Sequence, residues 1–468
     1  MKLKALFTAC TLAFAGQAFA LDATSVTPDV TLFLSGSSAS QKVIGQVAKS
    51  IMDPATMDDY FDLGTTSNGS SYRAYFGRAN AAAIAAYPSL ESTTPGVGKK
   101  IMLYETAAGG SIKGVNPVQL SQAVNRIGFT GCVAAGTDSV TGAPLHTCTG
   151  VDTTHVPDVG ISDVEPADLE AAVNLPAGTL PLSASDLAAI TANSHPTIAQ
   201  VMGIAVTTNL SLTNLSKGAV ASLMGGTVTD FNVIDSSATA GKTTIVCRRV
   251  AGSGTQATIN AAFFGNPCMT GQLPPADHTA SSMTTGTVPN TGNYIVIEGD
   301  SSGKVQGCLT AALNGTPAGK AISLTTGTIA SYTGSPPAGS VVLNSGNYGI
   351  GLIGLDSGVP AEAKFVSING TAPSVANAST GSYDVWVEST FNDRGLTTGT
   401  DQGDFYALFQ KNSGDPTILG TGGSGGTPIA GVAALSENGW VSTSFNPAYP
   451  VMRVGNFAST CSPFQQLQ

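Results

Sequence analysis

Short apolar runs, each followed by a glycine- and serine-rich turn and then by apolar positions at helical spacing, recur along this chain. Val30 to Leu34 (VTLFL) has the unbroken hydrophobicity of a buried strand. It leads through SGSSAS into QKVIGQVAKSIM, whose apolar residues fall every three or four positions and predict an amphipathic helix. The same order returns at KIMLYET (Lys100 to Thr106) followed by AAGGSIKGVNPVQLSQAV, and again at TTIVCRRVAGSGTQATINAAFF, from Thr243 to Phe264. Strand, turn and helix in alternation predict an α/β fold with a mainly parallel sheet. Polar stretches at Cys132 to His155 and Asn266 to Asn293 read as surface excursions between these units. No fixed-period repeat is present, which argues against a solenoid.

The first twenty residues change the picture from fold to compartment. MKLK, then the greasy ALFTACTLAFA, then GQAFA have the basic, apolar and small-residue order of a secretory signal, so a mature chain starting near Leu21 is expected. Cys10 lies inside the apolar region, and no lipobox precedes the cleavage point, so a lipid anchor is not expected. No later apolar run approaches the roughly 20 residues that span a bilayer. The predicted product is periplasmic or secreted. Losing Lys2 and Lys4 leaves 20 − 2 basic residues against 30 acidic ones, a net charge near −12 that disfavours nucleic acid and anionic membrane as partners. The remaining length exceeds one compact core and predicts two lobes.

Six cysteines remain after cleavage, an even number in an oxidising compartment, which predicts disulfides among 15 possible connectivities. Pairing nearest neighbours joins Cys132 to Cys148 and Cys247 to Cys268, leaving Cys308 for Cys461. His146, His155, His195 and His278 lack H-E-x-x-H spacing, and GDSSGKV (Gly299 to Val305) lacks the carboxylates of a calcium loop. No metal, cofactor or catalytic residue is therefore expected.

The candidate chemistry lies at the turns. A helix N-terminus presents unpaired backbone N–H groups and the positive end of its dipole, and hydroxyls there let an anion approach. Ser38 and Ser40 open the first helix, and Ser253 and Thr255 the third, where Arg248 and Arg249 end the strand. An arginine can direct two hydrogen bonds at one oxyanion.

With these turns in hand, the chain resembles the phosphate-binding proteins of ABC importers and their DING relatives. Their T-G-A-G-A-T-F, G-S-S-G-G, F-G-A-S-D and R-R-x-D-G-S-G-T turns are matched in order by SGSSASQ (Ser35 to Gln41), TAAGGS (Thr106 to Ser111), VGISD (Val159 to Asp163) and RRVAGSGT (Arg248 to Thr255). GIAVTTN, LTNLSKGAVASLMGGTVTDFNVI, YGIGLIG and SVANASTGSYDVWV continue the resemblance over most of the mature chain. It implies an α/β, two-lobed type II periplasmic-binding-protein fold with a central mixed sheet in each lobe and a two-crossing hinge. Lobe one would comprise 21–194 and 348–468, and lobe two 195–347. The implied function is capture of a small oxyanion, phosphate above all, by a non-enzymatic receptor serving importer membrane subunits, without nucleic acid or membrane insertion. Two alternatives follow from the same family: an extracellular structural or adhesive protein on this fold, and a DING-like secreted phosphatase.

The implied ligand set is Ser40, Gln41, Asp163, Arg249, Ser253, Gly254 and Thr255. In the family the aspartate accepts the proton that phosphate retains near neutral pH, whereas sulfate has none to give, so an unpaired acceptor sets specificity. On the residues alone Asp163 is equally an N-cap, since S-D-V-E-P opens a helix. The chain departs from the pattern at three places: Ala251 stands for the family's aspartate, Gln41 for an aromatic residue, and Ala107 for a serine.

Overall fold

The computed structural model describes residues 21–62, 71–272, 274–277, 286–421, 427–436, 439–441, 451–453, 461–462 and 464–466. The expected signal segment 1–20 and His278 lie outside them. The first predicted unit forms as strand β1 (Val30–Gly36) with helix α1 (Gln41–Ile51), and strands β2 (Asp58–Asp62) and β3 (Tyr72–Arg78) follow. Then come the predicted strand β4 (Lys100–Thr106), whose predicted helix is reduced to a 3₁₀ turn (Ser111–Gly114) and a four-residue helix (Asn116–Gln119), and β5 (Val159–Ser162). A long strand β6 (Ser194–Thr207) leads to β7 (Thr244–Arg249) with α2 (Gly254–Phe264), then β8 (Tyr294–Gly299) with α3 (Ser302–Asn314), and β9 (Tyr348–Gly354). Strand β10 (Trp386–Asp393) and helix α4 (Asp401–Ser413) follow.

One continuous sheet runs β8-β7-β9-β6-β10-β5-β1-β4-β3-β2 and extends through Pro144–Cys148 and Val133–Thr137. The same order occurs twice within it. In the first half β1 lies between parallel neighbours β4 and β5, and β10 closes the set antiparallel to β5. In the second, β7 lies between parallel β8 and β9, and β6 closes it antiparallel to β9. Strand β6 joins the two: Ser194 to Val201 pair with β10, and Met202 to Val206 with β9. Each half thus has its own mixed sheet, and the chain crosses between them.

Two further features differ from the sequence expectation. Tyr348–Gly354, placed above in lobe one, hydrogen-bonds to β7, because a buried apolar strand with free edges completes the second half's parallel set. The segment Cys132 to His155 is not irregular: Pro144–Cys148 pairs in parallel with β2, and Val133–Thr137 pairs with it in turn.

The core follows from the patterning. Helix α1 turns Val43, Ile44, Val47 and Ile51 onto Leu32 and Leu34 of β1 and onto Phe405 and Phe409 of α4. Burying each such side chain contributes roughly 1.5–3 kcal/mol. In the second half Val246, Ile350, Ile204 and Trp386 share one cluster, while Ile297, Leu309 and Val305 pack on the opposite face of the sheet. That face also sets the disulfides. Cys132–Cys148 forms as expected, but Cys247 joins Cys308 and Cys268 joins Cys461. Cys247 points from β7 at α3, which packs across that strand, so a partner 61 positions away is nearer in space than Cys268.

Candidate functional site

The first strand of each half ends at the middle of the molecule, and α1 and α2 begin there. They meet at Asp163, the residue immediately after β5, which is 2% exposed. Its carboxylate accepts hydrogen bonds from the Ser37 hydroxyl in the turn before α1 and from Thr255 Oγ1 in the first turn of α2, at 3.3 Å. The Ser111 hydroxyl oxygen accepts the backbone N–H groups of Asp163, at 3.2 Å, and of Gly254, at 3.1 Å. Both lone pairs of Ser111 are then occupied, and its proton is left to donate to a carboxylate or an anion. The Ile112 N–H donates to the Gly252 carbonyl at 2.8 Å, so a backbone bond joins the halves beside this point. The approach needs glycine: a Cβ at Gly252, whose φ is +86°, would lie 2.7 Å from Ile112 Cγ2.

Arg249 ends β7 and is also 2% exposed. Its Nε donates to the Gly299 carbonyl at 3.1 Å, one terminal nitrogen to the Asp300 carbonyl at 3.0 Å, and the other to Ser302 Oγ at 3.4 Å. The turn after β8 therefore orients the guanidinium, a task for which Ala251 offers no carboxylate. Burial pushes Arg249 down to about 10, with Asp163 and Asp300 opposing the shift. Burial likewise raises the Asp163 carboxyl, against the Ser37 bond and the attraction of Arg249. Desolvation outweighs their mutual attraction, so each charge would gain from a further partner.

The hydroxyls at the two helix starts lack the bonds that most serine and threonine N-caps of the described helices make. At N-caps elsewhere, Ser183, Ser216, Ser374 and Thr400 each accept a backbone N–H of their own helix, whereas Ser301 before α3 does not. Ser40 and Ser253 hold the N-cap positions of α1 and α2 and make no such bond. Both hydroxyls are buried without a partner, as is Ser38 Oγ. A missing cap costs about 1 kcal/mol, and an unsatisfied buried hydroxyl about 1–3 kcal/mol. Three hydroxyls of this kind stand in the turns that open α1 and α2.

Of the residues expected from sequence, Asp163, Arg249, Gly254 and Thr255 come together, with Ser253 at the N-cap between them. Ser40 starts α1, three positions after Ser37. Gln41's side-chain oxygen accepts from Arg73 at 3.1 Å. Ser37 and Ser111 were not singled out. Both stand in the quoted turns, but a position-by-position match of the second turn aligns Ala107 with the expected serine and passes over Ser111, four residues later.

Among the described residues no cluster of three or more histidine, cysteine, aspartate or glutamate side chains is placed to hold a metal ion. His146, His155 and His195 lie 3.6, 2.8 and 3.8 Å from Asp58, Asp152 and Asp393. No described helix is long and apolar enough to cross a membrane.

The strand order centred on β1 in the first half is repeated around β7 in the second, and the helices that follow these two strands, α1 and α2, start near Asp163. Solved structures similar to this chain include an ABC-type phosphate transport receptor from Vibrio cholerae, at 11% identity over 81% of this chain and 93% of that one, with a TM-score of 0.38. A DING protein is 13% identical over 85% of this chain and 91% of its own, at 0.40. The periplasmic phosphate-binding protein PfluDING, solved with phosphate, has the same identity and coverage at 0.38. No family model and no curated protein matches the chain. Identities and TM-scores this low leave the functional reading to rest on the chain's own residues.

Proposed function

We propose that this protein is an exported receptor that captures a small oxyanion, most favourably phosphate, between two lobes that close on it. The observation that carries the reading is the pair of N-cap serines, Ser40 and Ser253, whose buried hydroxyls forgo their own helices and face no protein partner. In this reading Ser38, Ser40, Ser253, Gly254, Thr255 and Arg249 donate to the anion, and Asp163 accepts the proton that hydrogen phosphate keeps. Gln41 is left out, since its side chain is engaged by Arg73.

Lobe two would run from about Met202, where β6 changes partner, to the approach of Trp386, and lobe one would hold the rest of the mature chain. The segment 1–20 would direct export, and importer membrane subunits would be the partners. No catalytic step is assigned in this reading.

The test is calorimetric titration of the ligand-stripped mature protein with phosphate, sulfate, arsenate and molybdate. One saturable site for phosphate or arsenate, with weaker binding of sulfate, is expected. A folded sample that gives no heat with any of the four overturns the reading and favours a structural role for the fold.

A further inference from the structure

A second set of polar contacts crosses between the halves a few residues from the anion turn, and it uses none of the proposed anion ligands. Its centre is Asp356, which follows β9 in the second half as Asp163 follows β5 in the first. The Asp356 side chain is buried. Gln200, on the part of β6 that pairs with the first half, donates from one amide nitrogen both to the Ala39 carbonyl, at 2.7 Å, and to Asp356 Oδ1, at 3.0 Å. Lys42, in the first turn of α1, donates its ammonium to the Asp356 backbone carbonyl. Ser357 Oγ donates to the other carboxylate oxygen at 3.2 Å.

Ala39 and Lys42 bracket Ser40, so two contacts on one second-half residue grip the turn that bears the proposed anion hydroxyls. Hydrogen bonds to charged groups away from water are among the stronger ones, and Gln200 is fully buried. Opening the cleft by rotating the halves would part Lys42 from Asp356 and leave the Asp356 carboxylate facing water. Closing would restore the bonds and set the Ser38 to Ser40 turn at the same moment.

We propose that Lys42, Gln200 and Asp356 form a clasp between the halves that positions the Ser38 to Ser40 turn and holds the cleft shut, so that anion release waits on its breaking. These are positioning residues, and the proposal rests on the anion-capture reading for its effect on release. Its effect on shape does not depend on that reading.

The experiment uses the mature chain with Lys42→Met, which keeps the aliphatic stem of a half-exposed side chain, and Asp356→Asn as a second variant. Small-angle scattering of the anion-free proteins and stopped-flow release of inorganic phosphate are measured, with circular dichroism as the check of folding. Lys42→Met is expected to be folded, to have a larger radius of gyration than wild type without anion, and to release phosphate at least roughly tenfold faster with an association rate changed less than about threefold. Lys42→Arg should restore both values. A folded Lys42→Met with wild-type radius and release rate overturns the clasp, as does a loss confined to the association rate. If wild type binds no phosphate while Lys42→Met still expands, the capture reading fails and the clasp stands.

Discussion

Replacing Gly254 by alanine tests the closed site with the smallest change the chain allows. Gly254 is the first residue of α2, and its backbone does not require glycine, so as a helix former alanine is the better choice there by up to about 1 kcal/mol. The cost comes from across the cleft. The added Cβ would lie 2.6 Å from Asp163 Cβ, 2.7 Å from Ser111 Oγ and 3.0 Å from Asp163 Oδ2. Both obstructing residues belong to the first half, so the clash opposes closure rather than folding of the second half. Overpacking by one methyl costs about 1–3 kcal/mol, equivalent to roughly a 5- to 150-fold loss of phosphate affinity. Titration calorimetry measures the affinity, and a thermal melt without anion checks that stability is within a degree or two of wild type. An alanine variant that binds phosphate within twofold of wild type would refute the placement of Gly254 against Asp163 in the bound state.

Other outcomes follow from the same geometry. Asp163→Asn should narrow the preference for phosphate over sulfate, because an amide can donate to a fully ionised anion, and competition titration would detect it; unchanged discrimination assigns Asp163 to capping. Arg249→Ala should weaken all oxyanions at least roughly tenfold, and unaltered affinities would remove the arginine from the site. Glu105 is pushed by burial up to about 7 from an ordinary value of 4.5, against the pull of Arg73. The folded state therefore keeps a proton that the unfolded state loses, and stability should fall by about 3 kcal/mol as pH rises from 4.5 through 7. Glu105→Gln should flatten that slope in denaturant titrations, and an undiminished slope would place its source elsewhere. Joint replacement of Cys247 and Cys308 by alanine removes a cross-link spanning 61 positions, for which chain entropy gives about 4 kcal/mol. A melting temperature equal to wild type would show that this bond adds nothing.

Local patterning determined much of this molecule. The runs at Val30, Lys100 and Thr243 are too apolar to lie at a surface, and the glycine- and serine-rich turns after them dictate where helices start, so β1 with α1, β4, and β7 with α2 form as read. The chemistry of those turns was also local: Ser38, Ser40, Ser253 and Thr255 stand at helix starts because the residues around them place the starts there. Residue order did not carry the pairings. Cys247 finds Cys308 because α3 packs over β7, and Tyr348–Gly354 joins the second half because β7 has an edge to fill. Gln41 meets Arg73 because β3 presents a buried guanidinium to the start of α1.

The division at the centre of the molecule has the same cause. Sequence could nominate Asp163 as a cap or a ligand, since either needs only a carboxylate before a helix. Only the tertiary structure decided its neighbours, bringing Ser37, Ser111, Gly254 and Thr255 around one carboxylate from three separate stretches of chain. Hydrogen bonds reach about 3 Å, and which atoms come within that reach is set by how two sheets pack through β6, which no run of neighbouring residues encodes.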